Sequence, residues 1–288
     1  MRFTKMHGCG NDYVYINGFT EKLTQEEKPK FVRQISDRHF GVGSDGVIFI
    51  NPSHEADFEM EMFNADGSRS EMCGNGIRCV AKYVHDKGMT QKKQFSIISG
   101  GQIKYMDLTL ENGETKAVRV DMGEPQLVAE RVPVVAPGEC AVDEPITVLG
   151  KEYRMTCVSM GNPHAVIFMN DVKDMEIEKL GPHFENHERF PRRTNTEFVQ
   201  VLDQNHVRMR VWERGTGETL ACGTGCCATA VACVLNGLTD RHVTVEVLGG
   251  KLVIDWDEES NRVFMTGPAE FVFEGEIAYE PNRMFLKD

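Results

Sequence analysis

Hydrophobic and polar positions along the chain form one pattern that occurs twice. Residues 58–63 alternate apolar with polar, and residues 207–212 do so again; each reads as a half-buried strand. Each strand leads through a turn into a Cys-Gly-x-Gly tetrad, Cys73-Gly74-Asn75-Gly76 and Cys222-Gly223-Thr224-Gly225. From each tetrad a helix is predicted to run to a glycine stop, Gly88 or Gly237, the residue suited to a left-handed C-terminal cap. Then come a strand, a Gly-Gly turn and a second strand: 94–99 with 102–110, and 243–248 with 251–255. A Gly-Gly pair between β-rich runs signals a hairpin.

One constant offset superimposes these halves without a gap. It also matches Ala81 with Ala230, Thr90 with Thr239, and Gly100-Gly101 with Gly249-Gly250. The openings match after a small gap, Gly10-Asn11 before 13–16 and Gly161-Asn162 before 165–168. Thr24 with Glu27 three positions on reads as a capping box for a helix reaching about His39. A weaker helical stretch covers 176–185. The expected fold is therefore α+β: two similar pseudo-symmetric domains, each a mostly antiparallel sheet wrapped around a central helix. An N-terminal lobe over 1–130, to which the last strand of the chain can return, precedes a C-terminal lobe over 131–288. The division falls between Met122 and Val148, where Pro125, Pro133, Pro137, Gly138 and Pro145 interrupt any period. Duplication relates equivalent residues by a pseudo-twofold axis, so the active site is expected in the cleft between the lobes, with Cys73 and Cys222 facing each other.

Composition narrows the function. The net charge of −12 over 288 residues speaks against nucleic acid or an anionic membrane as partner. The start, MRFTKMHGCGND, lacks the apolar core of a secretion signal, and the apolar run 226–235 is too short to span a bilayer, so a cytoplasmic protein is expected. The cysteine count, 9, is odd, which argues for reduced thiols rather than a disulfide scaffold. Most should be buried small apolar residues. Cys226 and Cys233 share a helical face and read as packing; Cys79 and Cys227 read the same way, and Cys9, Cys140 and Cys157 carry no pattern.

The duplicated tetrad is chemical in character. Glycines after each cysteine let the backbone approach a ligand and leave amide N–H groups free. A helix N-terminus carries partial positive charge, binds carboxylates, and is expected to draw a thiol pKa down toward neutrality. Two such thiols suit inversion of an α-carbon, which needs a base on one face and an acid on the other. A zinc or redox protein fits less well, since no CxxC exists and no histidine stands at ligand spacing. A bilobal binding protein would bind without exchanging the α-hydrogen.

The stretches KMHGCGNDYVYI (5–16), FNADGS and EMCGNGIRC (within 63–79), GNPHAVIF (161–168), RTNTEFV (193–199) and ERGTGETLACGTG (213–225) resemble, in order and across nearly the whole chain, the diaminopimelate epimerases. The tetrad alone would also fit proline racemase-like enzymes of the same fold. The resemblance implies interconversion of LL- and meso-2,6-diaminopimelate in lysine and peptidoglycan precursor synthesis, with no pyridoxal phosphate or other cofactor and no metal. It implies Cys73 and Cys222 as the acid/base pair, with His164 and Glu213 tuning the thiols. Substrate contacts carried over are Asn11, Asn64, Gly74, Asn75, Asn162, Asn195, Glu213, Arg214, Gly223 and Thr224. Arg214 suits bidentate binding of the distal carboxylate, and the asparagines can read ammonium and carboxylate together. The implied partner is the small-molecule substrate diaminopimelate, and a homodimer is compatible with this reading. One departure is Gly46, where some members carry a glutamine that contacts substrate.

Overall fold

The computed structural model describes residues 1–70 and 74–279, so Cys73 lies outside the described residues. Strand β1 (Arg2–Gly8) turns through Cys9 and Gly10, both at positive φ, and pairs antiparallel with β2 (Asn11–Asn17). Helix α1 (Lys28–Ser36) makes the crossover that a parallel pair requires, and β3 (Gly46–Asn51) then lies parallel to β2. Strand β4 (Phe58–Asn64) returns antiparallel and carries the short β5 (Arg69–Ser70). Helix α2 (Gly74–Asp86) makes the second crossover, so that β6 (Gln94–Ser99) lies parallel to β4 and β7 (Gln102–Glu111) folds back on β6.

After β8 (Glu114–Gly123) the same order recurs. Strand β9 (Glu144–Val148) pairs antiparallel with β10 (Lys151–Ser159), which pairs antiparallel with β11 (Pro163–Phe168). Helix α3 (Ile177–Glu185) crosses over to β12 (Asn195–Asp203), parallel to β11. Strand β13 (His206–Glu213) returns antiparallel and carries the short β14 (Gly217–Thr219). Helix α4 (Gly223–Leu235) crosses over to β15 (His242–Val247), parallel to β13, followed by β16 (Gly250–Trp256) and β17 (Val263–Gly267). The last strand, β18 (Glu270–Glu276), pairs with β1. The chain thus has an α+β fold of two similar units: Met1–Val118 with the chain from Pro268 onward, and Arg119–Gly267.

Each unit closes its sheet on one helix. Every residue of α2 from Gly74 to Val84 is buried, and so is the run from Gly225 to Cys233 in α4. Small residues allow this in α4, where Cys226, Cys227, Ala228 and Cys233 are fully inaccessible. Cys79 occupies the same kind of position in α2. Both helices stop where expected, with Gly88 at φ 71 and Gly237 at φ 65. Helix α1 ends short of the expected His39. Asp37 takes extended backbone, and its carboxylate accepts the N–H groups of His39 and Phe40, which replaces the next helical turn. The Thr24–Glu27 box forms ahead of this helix, each residue bonding the other's backbone N–H. The proline-bearing stretch after Gly123 is not loose, because Ala129, Val132, Val134 and Ala141 are buried in the core around Phe184 and Phe198. No helix among the described residues is long and apolar enough to cross a membrane.

Candidate active site

In the second unit the site is built at the start of α4. Cys222 has extended backbone, φ −120 and ψ 111, and its sulfur caps the helix by accepting the Gly225 N–H at 3.4 Å. The Thr224 hydroxyl lies 3.5 Å from the same sulfur. Cys222 is 7% exposed.

The neighbouring strands deliver the remaining groups. On the parallel pair of β11 and β12, His164 stands opposite Asn195. Glu197, two residues beyond Asn195, shares its face. His164 Nδ1 lies 2.7 Å from Glu197 Oε1, and both side chains are fully inaccessible. The other ring nitrogen, Nε2, lies 3.0 Å from Asn162 Oδ1, and Asn162 Nδ2 donates to Thr224 Oγ1 at 3.3 Å. Asn195 braces the loop after β13: its Oδ1 accepts the Arg214 N–H at 2.9 Å while its Nδ2 donates to Pro163 O. Glu213, ending β13, accepts the Thr219 hydroxyl at 2.5 Å, and the half-buried Arg214 donates to Arg192 O. The structure thus joins Asn162, His164, Cys222 and Thr224 in one hydrogen-bonded set, with Gly223 beside Cys222 at the helix start. His164, Glu197 and Cys222 bring ligand atoms within 4.8 Å of one another, a donor set that a soft divalent cation could accept.

The electrostatics of Cys222 run opposite to the expectation drawn from the helix terminus. Burial, first, pushes its thiol well above the ordinary range, and the carboxylates of Glu213 and Glu197 push the same way. The Thr224 hydroxyl and the Gly225 N–H pull down but are outweighed. A helix start offers a few amide dipoles, whereas lost hydration and two nearby charges act directly on the thiolate. In this arrangement the protonated form of the Cys222 thiol is favoured.

In the first unit, Asn11 Nδ2 donates to Asp45 at 2.8 Å, and Asp45 is held by Arg38. Asn64 donates to Ser68 Oγ. Gly74 and Asn75 open α2 over a fully buried arginine, Arg78, which bonds Asn75 Oδ1 at 2.9 Å, Gly74 O and Pro268 O.

The family model described as diaminopimelate epimerase matches residues 3–128 and 156–272. The chain belongs to the diaminopimelate epimerase family. That membership makes it an isomerase. It is 57% identical over 284 residues to the diaminopimelate epimerase of Agathobacter rectalis, covering 96% of this chain and 99% of that one. It is 56% identical to that of Acetivibrio thermocellus, over 96% and 98% of the two chains. Among solved structures, a Bacillus anthracis phenazine biosynthesis protein of the PhzF family shares the fold at TM-score 0.68 and 16% identity, covering 97% of this chain and 99% of that one. A hydroxyproline epimerase from Agrobacterium vitis does so at TM-score 0.68 and 14% identity, over 98% and 92%.

Gly46, where the sequence departs from the family pattern, has a steric reason to be glycine. A Cβ there would stand 2.0 Å from the Phe63 carbonyl oxygen and 3.0 Å from the Tyr13 ring, so β3 and β4 leave no room for a side chain. Three residues escaped the sequence reading: Glu197, Arg78 and Asp45. Each left a faint signal. Glu197 is a lone carboxylate leading into Phe198-Val199, Arg78 a cation within the otherwise apolar run Ile77 to Ala81, and Asp45 part of the Gly-rich turn before Gly46.

Proposed function

We propose that this chain interconverts LL- and meso-2,6-diaminopimelate, in lysine and peptidoglycan precursor biosynthesis, by proton transfer between thiols and the α-carbon. The observation that carries the reading is Cys222: a buried sulfur capping a helix start, with His164 and Glu197 close by and the Glu213 and Glu197 carboxylates acting on it. In one direction the Cys73 thiolate takes the α-proton while Cys222 gives its own to the opposite face of the same carbon; the S–H bond of Cys222 breaks as a C–H bond forms. In the reverse direction the roles exchange. Amide N–H groups at Gly223, Thr224, Gly74 and Asn75 hold the reacting carboxylate and stabilise charge developing on it. Glu213 and His164 adjust the proton affinity of the thiols. Arg214 takes the distal carboxylate, and Asn11, Asn64, Asn162 and Asn195 orient the ammonium and carboxylate groups.

A distal charged centre is what distinguishes this substrate from proline, and it gives the Asn and Arg set its purpose. The protein works in the cytoplasm on this small molecule, as a homodimer and without nucleic acid, in keeping with its acidic balance. Stereoinversion of diaminopimelate by wild type, Cys73→Ser and Cys222→Ser tests the reading. Wild type inverts and places solvent deuterium at the inverted carbon in D2O, while each variant loses at least about a thousandfold in kcat, as for removal of an essential acid or base. Turnover of proline or hydroxyproline in preference to diaminopimelate would overturn it.

A further inference from the structure

We propose that Glu185 is a positioning residue: its carboxylate pins the tip of the hairpin between β13 and β14 and so sets where the Arg214 guanidinium stands for the distal carboxylate of the substrate. The proposal rests on the reading of Arg214 as the group that takes that carboxylate. Every residue it uses lies in the second unit.

Glu185 is the last residue of α3 and is 5% exposed. A carboxylate in the last turn of a helix meets the negative end of the helix dipole, so α3 itself gains nothing from it. Its partners lie elsewhere. Oε1 accepts from Arg193 Nη1 and from the Gly215 N–H, both at 2.8 Å, and Oε2 accepts from Trp212 Nε1 at 2.7 Å. All three partners can only donate, and a carboxylate is the side chain that accepts through both of its oxygens. The helix reaches this position because Gly181 has no side chain: a Cβ there would stand 2.3 Å from the Trp212 ring.

The strands pair Glu213 with Gly217, which leaves Arg214, Gly215 and Thr216 as the tip. Gly215 is exposed and has φ 79. Inside the tip, the Thr216 N–H bonds Glu213 O at 3.1 Å. The other two amides are held from outside, Arg214 by Asn195 Oδ1 and Gly215 by Glu185. Glu185 also reaches the far end of the Arg214 side chain. That guanidinium donates to Arg192 O at 3.1 Å, and the next residue in the chain, Arg193, is the one whose guanidinium Glu185 holds. The backbone beside Arg214 and the carbonyl at its head are therefore tied to one carboxylate. Without it, Arg214 is spread over several positions, and ordering it costs binding energy while the proton-transfer step at the α-carbon is untouched.

The test is steady-state kinetics of diaminopimelate inversion by wild type, Glu185→Ala, Arg214→Ala and the double variant. Glu185→Ala should raise KM about tenfold with kcat nearly kept, the equivalent of one charge-assisted hydrogen bond to the distal carboxylate. On the Arg214→Ala background it should raise KM no further, since both act through one side chain. A merely structural role would lower kcat as well or add to the effect of Arg214→Ala, and either result overturns the proposal. Should Glu185→Ala fail to fold, Arg193→Ala cuts one of the same ties at a half-exposed side chain: KM should rise, and no further once Arg214 is gone. If Arg214→Ala raises KM and these variants do not, this inference falls alone; if Arg214→Ala leaves KM unchanged, the reading of Arg214 falls and takes the inference with it. A second measurement needs neither turnover nor a variant. In 15N-labelled wild type the Gly215 amide, though on an exposed residue, should exchange with D2O at least about a hundredfold more slowly than in an unstructured peptide. Exchange at the unstructured rate overturns the proposal.

Discussion

The carboxylate of Glu197 fills the space that a side chain on Gly225 would need. A Cβ on Gly225 would stand 2.6 Å from Glu197 Oε1 and 3.3 Å from Cys222 Sγ. The last glycine of the tetrad thus serves two purposes: its N–H reaches the sulfur, and its missing side chain admits the carboxylate. Gly225→Ala should force Glu197 or the helix start to move. We expect a loss of about 1–3 kcal/mol in urea denaturation, typical of overpacking, and a fall in kcat larger than any rise in KM. A variant with wild-type kcat and stability would show that the space is not contested.

Asn11 depends on Asp45 in the first unit. The Asp45 carboxylate accepts from the Asn11 side chain and the Asp12 N–H, and Arg38 holds it in place. Asp45→Ala removes one of the hydrogen bonds that orient the Asn11 amide. If Asn11 contacts substrate, KM for diaminopimelate should rise about tenfold, the equivalent of one charge-assisted hydrogen bond, with kcat nearly kept. Steady-state kinetics decides this, and an unchanged KM removes Asn11 from the binding set.

Gly46 lies where two strands meet too closely for any side chain. With the Phe63 carbonyl oxygen 2.0 Å from the point a Cβ would occupy, a glutamine cannot enter unless β3 and β4 separate. Gly46→Gln should therefore lower the midpoint of thermal unfolding by several degrees, the consequence of about 1–3 kcal/mol of overpacking, and should not improve KM. Improved substrate binding without loss of stability would mean that the strands yield readily.

Much of this architecture could be read before any coordinates, because it rests on local signals. The helix stops at Gly88 and Gly237 need only a residue tolerant of positive φ, and the hairpins at Gly100-Gly101 and Gly249-Gly250 need only turn chemistry. The constant offset between Cys73 and Cys222 carried the order of elements from one half to the other. Glu197 was not legible in that way. Alternation shows that it shares a face with Asn195, but only the parallel register of β11 and β12, set across α3, brings it to His164. The state of Cys222 escaped for the same reason. The helix start is visible in the sequence, whereas Glu213 and Glu197 reach the sulfur from two other strands. The end of α1 was misplaced because the Asp37 side chain, rather than a missing apolar position, stops it.

Two buried thiols outside the site make stability fall in alkali. Burial pushes Cys157 up to about 12 and Cys233 up to about 12. A thiol whose folded value lies above its unfolded value keeps its proton in the folded protein after the unfolded chain has released one. Its contribution is therefore complete below the ordinary thiol range and is lost as pH rises toward about 12. Each thiol can add a slope of up to about 1.4 kcal/mol per pH unit. Urea denaturation of wild type, Cys157→Ala and Cys233→Ala between pH 8 and 11 should show the steepest decline for wild type and a shallower one for each variant. Tyrosine and lysine titrations are common to all three proteins and cancel in the comparison. Parallel declines would mean that neither thiol is coupled to folding in this range.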